Sequence, residues 1–395
     1  MNIKHLSQLC CVAIITAATF SCTPKTAEEK LDSTLKEAME KNRAIGMAVA
    51  AVKDGKIIFA KSFGYKDREN KIELKNDDLF RIASISKSFT ATAIMQMVEQ
   101  GKIDLEGDVS KYLGFPIRNP TYPTIPITIR MLLSHSSSLN DSEGYFTINV
   151  INPDSSSTHI NAYSDWEPGT KYDYCNLGFN TLGTILERVS GERFDQYIVN
   201  HILKPVGAYG GYNVGELDST KFVTLYEEQP DGSFTPSPDA YAKRTAQIAN
   251  YHFGYSAPIF SPTGGMKISA TDLAKVMMMH MNLGKIAQPG SPDSLQVIDR
   301  HSAELMQTKM ISPTAEGDSY GFALRISDRL IDGKTMIGHT GSAYGVYTTM
   351  FWDQERKNGF VVLISGCKST RNHTFIALNR QATNAMAQYL THLAQ

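Results

Sequence analysis

The chain has 395 residues, of which 42% are hydrophobic and 20% are charged, and its formal net charge is −1. A chain of this size and apolar content can bury a large core, and it suits one elaborated domain or two closely packed domains. A net charge near zero provides no overall attraction to nucleic acid or to an anionic surface. We therefore predict a small molecule or an envelope polymer as the partner, and no nucleic acid.

Residues 1–22 are typical of a lipoprotein-type signal peptide. The apolar run from Leu9 to Phe20 is too short to span a bilayer as a permanent helix, and Ser21 and Cys22 follow it directly. We expect Cys22 to become the lipidated first residue of the mature chain. The alternative is an ordinary secretory signal with a cysteine nearby. Both pathways export the protein, so we predict a cell-envelope location, either periplasmic or anchored to the outer membrane through Cys22.

The five cysteines do not form a disulfide framework. Cys10 and Cys11 lie in the predicted signal and Cys22 at its end, which leaves Cys175 and Cys367 in the body of the chain. The fold must therefore depend on its hydrophobic core. No stretch places His, Cys, Asp and Glu at the spacing of metal ligands, so we predict no metal and no other cofactor.

The first elements after the signal are a helix and a hairpin. Residues 23–42 are predicted to be a short tether followed by an amphipathic helix. Strands are then predicted over Gly46–Val52 and Lys56–Phe63. The dipeptide Asp54-Gly55 between them is a strong signal for a tight hairpin turn.

A buried helix is predicted next, with Ser84 in its first turn and Lys87 one turn further along the same face. Apolar residues recur every four positions from Ile85 to Met97, and Gly101 marks the end of the helix. A serine hydroxyl is a weak nucleophile until a base takes its proton, and burial favours the neutral form of a lysine. Ser84 and Lys87 are therefore a candidate catalytic pair, although this spacing is also common on surface helices.

The middle of the chain is rich in loops. A short helix is predicted over Ile129–Leu133, a large loop over Ser136–Ser164, and a helical region over Asn176–His201 that is interrupted at Gly191. Residues 208–262 show little periodicity and receive no assignment.

The last third of the chain returns to strands. A helix is predicted over Thr271–Leu283, with Ser269 or Thr271 as its cap, and another over residues 373–393. The predicted strands between them are Tyr320–Ile326, Thr335–His339, Gly345–Trp352 and Gly359–Ile364.

Strands at both ends of the chain with helices between them predict an α/β (α+β) fold, in which an antiparallel sheet is built from both chain ends and flanked by helices. We predict one catalytic unit over residues 43–393. Its sheet part covers about 43–80 and 318–393, and a mostly helical, loop-rich insertion covers about 105–265.

A second candidate segment surrounds Tyr174. In an extended segment Tyr174 and Asn176 point to one side and Cys175 to the other. A phenol near a lysine ammonium can lose its proton below its free pKa of about 10, so Tyr174 is a candidate base for Ser84. Asn176 can bond both the lysine and a substrate amide. The alternative is a core tyrosine followed by an asparagine that caps the next helix, and Cys175 is predicted to be a buried core thiol.

A third candidate segment runs from His339 to Ser342. Gly341 allows another backbone to approach closely, and the Ser342 amide would then be free to donate to an oxyanion. His339 and Thr340 supply polar groups that can bind a carboxylate or orient a proton. The alternative is a glycine-rich turn with incidental polar residues.

Together these segments resemble the serine β-lactamase and penicillin-binding protein superfamily, in particular the class C β-lactamases, the D-alanyl-D-alanine carboxypeptidases and related esterases. The motifs that carry the resemblance are Ser84-Ile85-Ser86-Lys87, Tyr174-Cys175-Asn176 and His339-Thr340-Gly341. The flanking segments Leu132-Leu133-Ser134-His135-Ser136 and Pro168-Gly169-Thr170 agree with it. The resemblance covers about residues 43–390 and implies a β-lactamase-like sheet.

The resemblance implies that Ser84 is the acyl-forming nucleophile, that Lys87 is its proton partner, and that Tyr174 is the base for acylation and for the deacylating water. It implies an oxyanion hole made by the amides of Ser84 and Ser342. It also implies a substrate-binding set of Asn176, which positions the acyl amide, with His339, Thr340, Gly341 and Ser342. His135 is carried over only as a structural residue.

Two positions depart from the usual family pattern. His339 stands where class C β-lactamases have lysine, and a neutral imidazole attracts a carboxylate less than an ammonium does. Cys175 replaces the more usual Ser or Ala. We predict a secreted or lipid-anchored serine hydrolase that forms an acyl-enzyme with D-amino-acid peptides, esters or β-lactams. The alternative is a non-catalytic module of the same fold that binds peptidoglycan or a β-lactam.

Overall fold

The structure is a computed structural model that describes residues 25–287, 293–311 and 317–393. The predicted signal peptide and Cys22 lie outside the described residues. Among the helices that are described, none combines the length and the apolar character that crossing a bilayer requires.

The described residues form helices and strands in the following order along the chain. The helices are α1 (Ala27–Lys41), α2 (Ser86–Glu99), α3 (Val109–Leu113), α4 (Ile129–Leu133), α5 (Asn176–Ser190), α6 (Phe194–Ile198), α7 (Lys204–Val206), α8 (Thr245–Ala249), α9 (Ala270–Met281), α10 (Arg300–Met306) and α11 (Ala377–His392). The longer strands are β1 (Gly46–Lys53) and β2 (Lys56–Asp67). The short strands that follow them are β3 (Ile72–Glu73), β4 (Phe80–Arg81), β5 (Gly210–Gly211), β6 (Tyr226–Glu228), β7 (Phe234–Pro236), β8 (Lys267–Ile268), β9 (Lys285–Ala287), β10 (Ser294–Gln296) and β11 (Ser319–Tyr320). The last strands are β12 (Arg325–Ile331), β13 (Lys334–Ala343), β14 (Val346–Asp353), β15 (Asn358–Ser365), β16 (Arg371–Asn372) and β17 (Phe375–Ile376).

An antiparallel sheet of eight strands is the centre of the fold, with the order β11-β12-β13-β14-β15-β1-β2-β3. The two ends of the chain meet where β1 pairs with β15, and Val49 lies opposite Val362. The predicted hairpin joins β1 and β2, where Asp54 (φ 48) and Gly55 (φ 73) both adopt the left-handed conformation that this kind of tight turn requires. The predicted fold class is confirmed: both chain ends build one sheet.

Both faces of the sheet are covered by helices. On β15, Val361 and Leu363 belong to one hydrophobic cluster, whereas Val362 belongs to the other. The first cluster includes α2, α5 and α9, and the second includes α1 and α11. Because successive strand residues point to opposite faces, a strand buried on both sides carries a continuous apolar run, as β15 does from Phe360 to Ile364.

One predicted strand is wrong. The apolar run Tyr320–Ile326 is divided between β11, which ends at Tyr320, and β12, which begins at Arg325. The residues between them form a buried turn in which Ala323 has φ 55. A Cβ on Gly321 would lie 2.3 Å from the carbonyl oxygen of Met306, so the turn packs tightly against the chain after α10. The run is apolar because the turn is buried, which is why its pattern suggested a strand.

The insertion is less helical than predicted. Residues 208–262 contain the short strands β5, β6 and β7 and the single-turn helix α8, with loops between them. The helical part of the insertion lies mainly in α5, α6 and α7, and a π-helical stretch over Val199–Leu203 joins α6 to α7. The division of the chain into functional units stays a prediction.

Candidate active site

Ser84 lies in a 3₁₀ turn over Ala83–Ile85, immediately before α2 and not inside its first turn. Ala83 has φ 48, so the turn reverses the chain direction just ahead of the serine. Ser86 holds the turn from both sides: its hydroxyl donates to the carbonyl of Ala83 at 2.6 Å and accepts from the amide of Met266 at 3.0 Å. The Ser84 side chain is thereby held, half-exposed, at the edge of a cavity.

Gly341 brings strand β13 against this turn, as the sequence predicts. A Cβ at Gly341 would lie 2.2 Å from the carbonyl oxygen of Ile82 and 3.2 Å from the Cβ of Ala83. Thr348, opposite Gly341 on β14, donates from its hydroxyl to the same Ile82 carbonyl at 2.9 Å. Any other residue at position 341 would therefore push the strand away from the serine.

Lys87 is buried and its Nζ atom meets three oxygen atoms. Nζ lies 3.1 Å from the hydroxyl oxygen of Ser84, 2.9 Å from Oδ1 of Asn176 and 3.0 Å from the carbonyl oxygen of Thr263. Burial lowers the pKa of Lys87 to about 7, while the nearby charge of Asp141 acts in the opposite direction. A substantial share of Lys87 is then a neutral amine at neutral pH.

A neutral Lys87 is oriented to accept a proton from Ser84. The Thr263 carbonyl can only accept hydrogen bonds, so it takes one N–H of the amine. Oδ1 of Asn176 is likewise an acceptor and takes the second N–H. The remaining lone pair of a neutral amine then faces the Ser84 hydroxyl, which is the arrangement that general-base catalysis needs.

Asp141 is a site residue that the sequence did not reveal. Its Oδ2 accepts from the backbone N–H of Asn176 at 3.0 Å and from Nδ2 of the same side chain at 2.8 Å. Its Oδ1 accepts from the amide of Leu177 at 2.9 Å and lies 3.4 Å from Sγ of Cys175. Asp141 therefore caps α5 from a distant loop. Cys175 occupies the N-cap position of α5, and its side chain does not cap the helix. This lack of a local cap is the one feature that indicates a capping residue from elsewhere in the chain.

The contacts of Asp141 determine which way the Asn176 amide points. Because Nδ2 donates to Asp141, Oδ1 faces Lys87 and the hydroxyl of Thr263, which donates to it at 2.8 Å. The predicted contact between Asn176 and the lysine is present. The alternative in which Asn176 caps α5 is wrong, because Asp141 does so. Cys175 is buried as predicted, but its thiol also contacts Asp141 and is not a purely apolar core group.

We expect Asp141→Asn to slow acylation of Ser84 by about 10- to 100-fold, because Asn176 loses the partner that orients it, and to lower the free energy of unfolding by about 1–2 kcal/mol. Without the charge that raises the pKa of Lys87, the pH at which activity is half-maximal should also fall. A pH profile of kcat/KM measures this shift, which a simple loss of stability would not produce. Asp154→Asn, an exposed carboxylate of the same loop, should change neither quantity.

Tyr174 is buried beside both catalytic groups. Its ring centre lies 4.7 Å from Nζ of Lys87. Burial raises the pKa of Tyr174 well above its ordinary value, and a hydrogen bond with the side chain of Ser84 only partly opposes this. Burial therefore opposes the expectation that the phenol readily loses its proton beside the lysine, and the role of Tyr174 as the base stays a prediction. A phenol that keeps its proton can instead donate it.

His339 is neutral, as predicted. Its Nδ1 lies 2.5 Å from the carbonyl oxygen of Thr340, which can only accept, so Nδ1 carries the hydrogen. Nε2 then accepts from the hydroxyl of Tyr320 at 2.9 Å. Burial lowers the pKa of His339 to about 3, and the charge of Lys87 acts in the same direction.

His135 supports the site from behind. Its Nδ1 accepts from the amide of Cys175 at 3.1 Å, and its ring lies 4.3 Å from that of Tyr174 and 5.1 Å from that of Phe179. Burial lowers its pKa well below the ordinary value. These contacts agree with a structural residue that positions the segment carrying Tyr174.

Ser84 opens into a cavity of about 380 Å³ that also contacts Tyr174, His339, Thr340 and Ser342. Two arginines that the sequence did not single out, Arg325 and Arg371, line the same cavity. Each is held by Thr374: Arg325 donates to its hydroxyl and Arg371 to its carbonyl at 2.9 Å. Arg325 is also paired with Asp318, whereas Arg371 is exposed and forms no ion pair with any described residue.

A half-exposed serine, a buried lysine that can take its proton and a protonated phenol beside both define the site of a serine hydrolase. The sequence pattern of the beta-lactamase family matches residues 31–385, and the chain belongs to this family.

Known relatives agree with this assignment. The chain is similar to protein flp of Staphylococcus aureus (strain MW2), with 26% identity over 85% of this chain and 63% of that protein, so it spans less than two thirds of the relative's length. It is also similar to the octameric penicillin-binding protein homologue from Pyrococcus abyssi, with 26% identity, a TM-score of 0.72, and coverage of 93% and 78% of the two chains. A D-amino acid amidase from Ochrobactrum anthropi SV3 shares the fold, with a TM-score of 0.73 at 18% identity over 93% and 99% of the two chains.

Proposed function

We propose that the protein is a cell-envelope hydrolase that forms an acyl-enzyme at Ser84 with D-amino-acid peptides, esters or β-lactams. The contacts of Lys87 carry this proposal, because they leave the amine lone pair facing the Ser84 hydroxyl. Lys87 takes the Ser84 proton while Oγ attacks the substrate carbonyl. The backbone amides of Ser84 and Ser342 stabilise the oxyanion, at about 3 to 4 kcal/mol for each donor.

Tyr174 completes the cycle as a proton donor. When the tetrahedral intermediate collapses, the bond to the leaving group breaks and Tyr174 gives its proton to the leaving nitrogen or oxygen. The Lys87 ammonium, which lies beside the Tyr174 ring, then returns a proton to the tyrosinate, so that both residues regain their resting protonation. In deacylation, water replaces the leaving group and its proton follows the reverse route. The burial of Tyr174, which raises its pKa, supports this order.

The cavity favours a substrate with a carboxylate beyond the scissile bond. His339 is neutral and supplies no positive charge, but the exposed Arg371 lines the same cavity as His339 and Thr340. A guanidinium binds a carboxylate through paired hydrogen bonds. A peptide that ends in D-alanine has such a group, and the fold shared with a D-amino acid amidase agrees with a substrate of D configuration.

The test is covalent labelling of the intact protein with a labelled penicillin and with a fluorophosphonate, followed by mass spectrometry. A single adduct on Ser84 is expected with at least one reagent, and the absence of an adduct with both would overturn the proposal. Turnover of nitrocefin, p-nitrophenyl esters and D-alanyl-D-alanine peptides then identifies the substrate. An adduct without turnover of any substrate would support the non-catalytic alternative.

Tyr174→Phe is expected to discriminate between leaving groups. The variant should acylate about 10²- to 10⁴-fold more slowly with a peptide amide, whose amine must be protonated, but should lose much less with a p-nitrophenyl ester, whose phenolate leaves unaided. Single-turnover adduct formation on Ser84 measures both rates in protein whose folding is checked by thermal melting.

Histidine variants serve as the comparison. His135→Asn and His339→Asn should reduce stability or substrate binding and should slow both substrates alike. If Tyr174→Phe also slows amide and ester equally and strongly, Tyr174 is the base for Ser84, and the proton-transfer roles of Tyr174 and Lys87 must be exchanged. If it slows neither, Tyr174 has no part in proton transfer.

A further inference from the structure

A second and larger cavity, of about 530 Å³, lies beside the active site and is separate from the one that Ser84 enters. Some residues of its wall lie close to the catalytic residues along the chain. Arg81, three residues before Ser84, donates from Nε to the carbonyl of Gly264 at 3.1 Å. Tyr344, two residues after Ser342, also lines it and lies 4.8 Å from the Arg81 guanidinium. The cavity is thus bounded by the same two segments that form the predicted oxyanion hole.

The loop that carries Asp141 borders the cavity on another side. Phe146 lies at its entrance and is 54% exposed. Its neighbour Tyr145 is within electrostatic range of Asp141 on the catalytic side and of Arg81 and Tyr344 on the cavity side. The cavity therefore adjoins the Asp141 loop as well as the segments that carry Ser84 and Ser342, whereas Arg325 and Arg371 line the other cavity.

The charges of this cavity are mostly positive and mostly unpaired. Its lining contains three basic residues, Arg81, Arg244 and Lys267, and one acidic residue, Asp239. Lys267 is buried, and the hydrogen bond of its Nζ is to the carbonyl of Tyr212 at 2.9 Å. Within the described residues, none of these three basic side chains forms an ion pair, and the Arg244 side chain makes no hydrogen bond.

An unpaired cation is costly to bury, and this cost falls on Lys267 and on the partly buried Arg81, whereas Arg244 is exposed. The pKa of Lys267 responds to this cost: burial lowers it well below the ordinary value, and the charges of Arg81 and Arg244 act in the same direction. An anion in the cavity would offset the effect of burial and the effects of the two arginine charges on this pKa. The apolar part of the lining, which includes Phe146, Ile259 and Phe260, suits the methylene groups that would carry that anion.

We propose that this cavity is a subsite for a carboxylate carried by the acyl part of the substrate, which Arg81, Lys267 and Arg244 bind. The inference rests on the proposed acyl transfer at Ser84 and extends it by naming a substrate class: acyl groups that bear a second, negatively charged end.

The experiment compares mono-p-nitrophenyl esters of glutaric, adipic and suberic acid with neutral acyl esters of the same chain lengths. The quantity measured is the ratio of kcat/KM for each anionic ester to that of its neutral counterpart. The wild-type ratio should exceed one at the chain length that spans from Ser84 to the cavity, and Arg244→Gln should lower it by about 5- to 30-fold, as expected for loss of a charge-assisted contact. Added salt should lower the wild-type ratio as well.

Two further variants make the result decisive. Lys243→Gln removes an exposed cation next to Arg244 that does not line the cavity, and its ratio should equal that of the wild type. Lys267→Met, checked by thermal melting, should lower the ratio as Arg244→Gln does.

An unchanged ratio in Arg244→Gln at every chain length, with the neutral esters still acylating Ser84, would overturn the subsite and leave the proposed function standing. Failure of every ester to acylate Ser84 would overturn both.

Discussion

Replacing Ser84 with alanine is expected to abolish turnover and to leave the fold intact. Without the hydroxyl no acyl-enzyme can form, so kcat/KM should fall by about 10⁴-fold or more for every substrate that the wild type hydrolyses. No adduct should appear with a penicillin or a fluorophosphonate. Thermal melting should change little, because the Ser84 side chain is half-exposed and is not a buried packing group.

Ser88→Ala is the matched control for this variant. Ser88 lies one turn further along α2, and its hydroxyl donates to the carbonyl of Ile85 at 2.8 Å without reaching the cavity. The control should keep the adduct on Ser84. A Ser84→Ala protein that still hydrolyses esters at the wild-type rate would place the nucleophile elsewhere.

Lys87→Met is expected to produce the second largest loss. Methionine keeps most of the length of the side chain but has no basic nitrogen to accept the Ser84 proton, so acylation should slow by about 10³- to 10⁴-fold. Unlike Tyr174→Phe, this change should slow amide and p-nitrophenyl ester equally, because both reactions begin with the same proton transfer. Single-turnover adduct formation with the two substrates measures the difference.

The stability of Lys87→Met should be lower than that of the wild type. The change leaves the carbonyl of Thr263 without the lysine donor, at about 1–3 kcal/mol for a buried acceptor left unpaired, whereas Oδ1 of Asn176 keeps the hydroxyl of Thr263. Lys102→Met, just beyond the other end of α2 and exposed, should alter neither rate nor stability. Normal acylation by a folded Lys87→Met protein would exclude the lysine as the base.

The parts of the fold that sequence predicts well depend on local signals. Helix α4 forms over Ile129–Leu133 as predicted, because Thr128 caps it through its hydroxyl, which accepts from the amide of Met131 at 3.3 Å. The Asp54-Gly55 turn and the close approach at Gly341 follow in the same way from the conformational freedom of particular residues.

The parts that sequence does not predict depend on contacts between distant segments. Asp141 acts on Asn176, 35 residues further along, from within a loop that has no periodicity. Arg371 reaches the Ser84 cavity from the short strand β16, after β15. Neither residue belongs to a motif, so only the folded chain brings it to the site.

The pKa of Tyr174 is another property that the sequence does not predict. Sequence places a phenol near an amine, but the direction of each pKa depends on how completely the two groups are buried. Burial lowers the pKa of Lys87 to about 7 and raises that of Tyr174, so it favours the proton on the tyrosine over the proton on the lysine. That burial is a property of the whole fold.

The most direct test of the proposed mechanism is the pH dependence of adduct formation on Ser84, followed by mass spectrometry under single-turnover conditions. Because a neutral Lys87 must accept the serine proton, the rate should rise about tenfold per pH unit below the pKa of about 7 and level off above it. A rate that continues to rise towards about pH 10, where an ordinary phenol ionises, would show that Tyr174 is the base. The absence of any adduct on Ser84 across the whole range would contradict the mechanism itself.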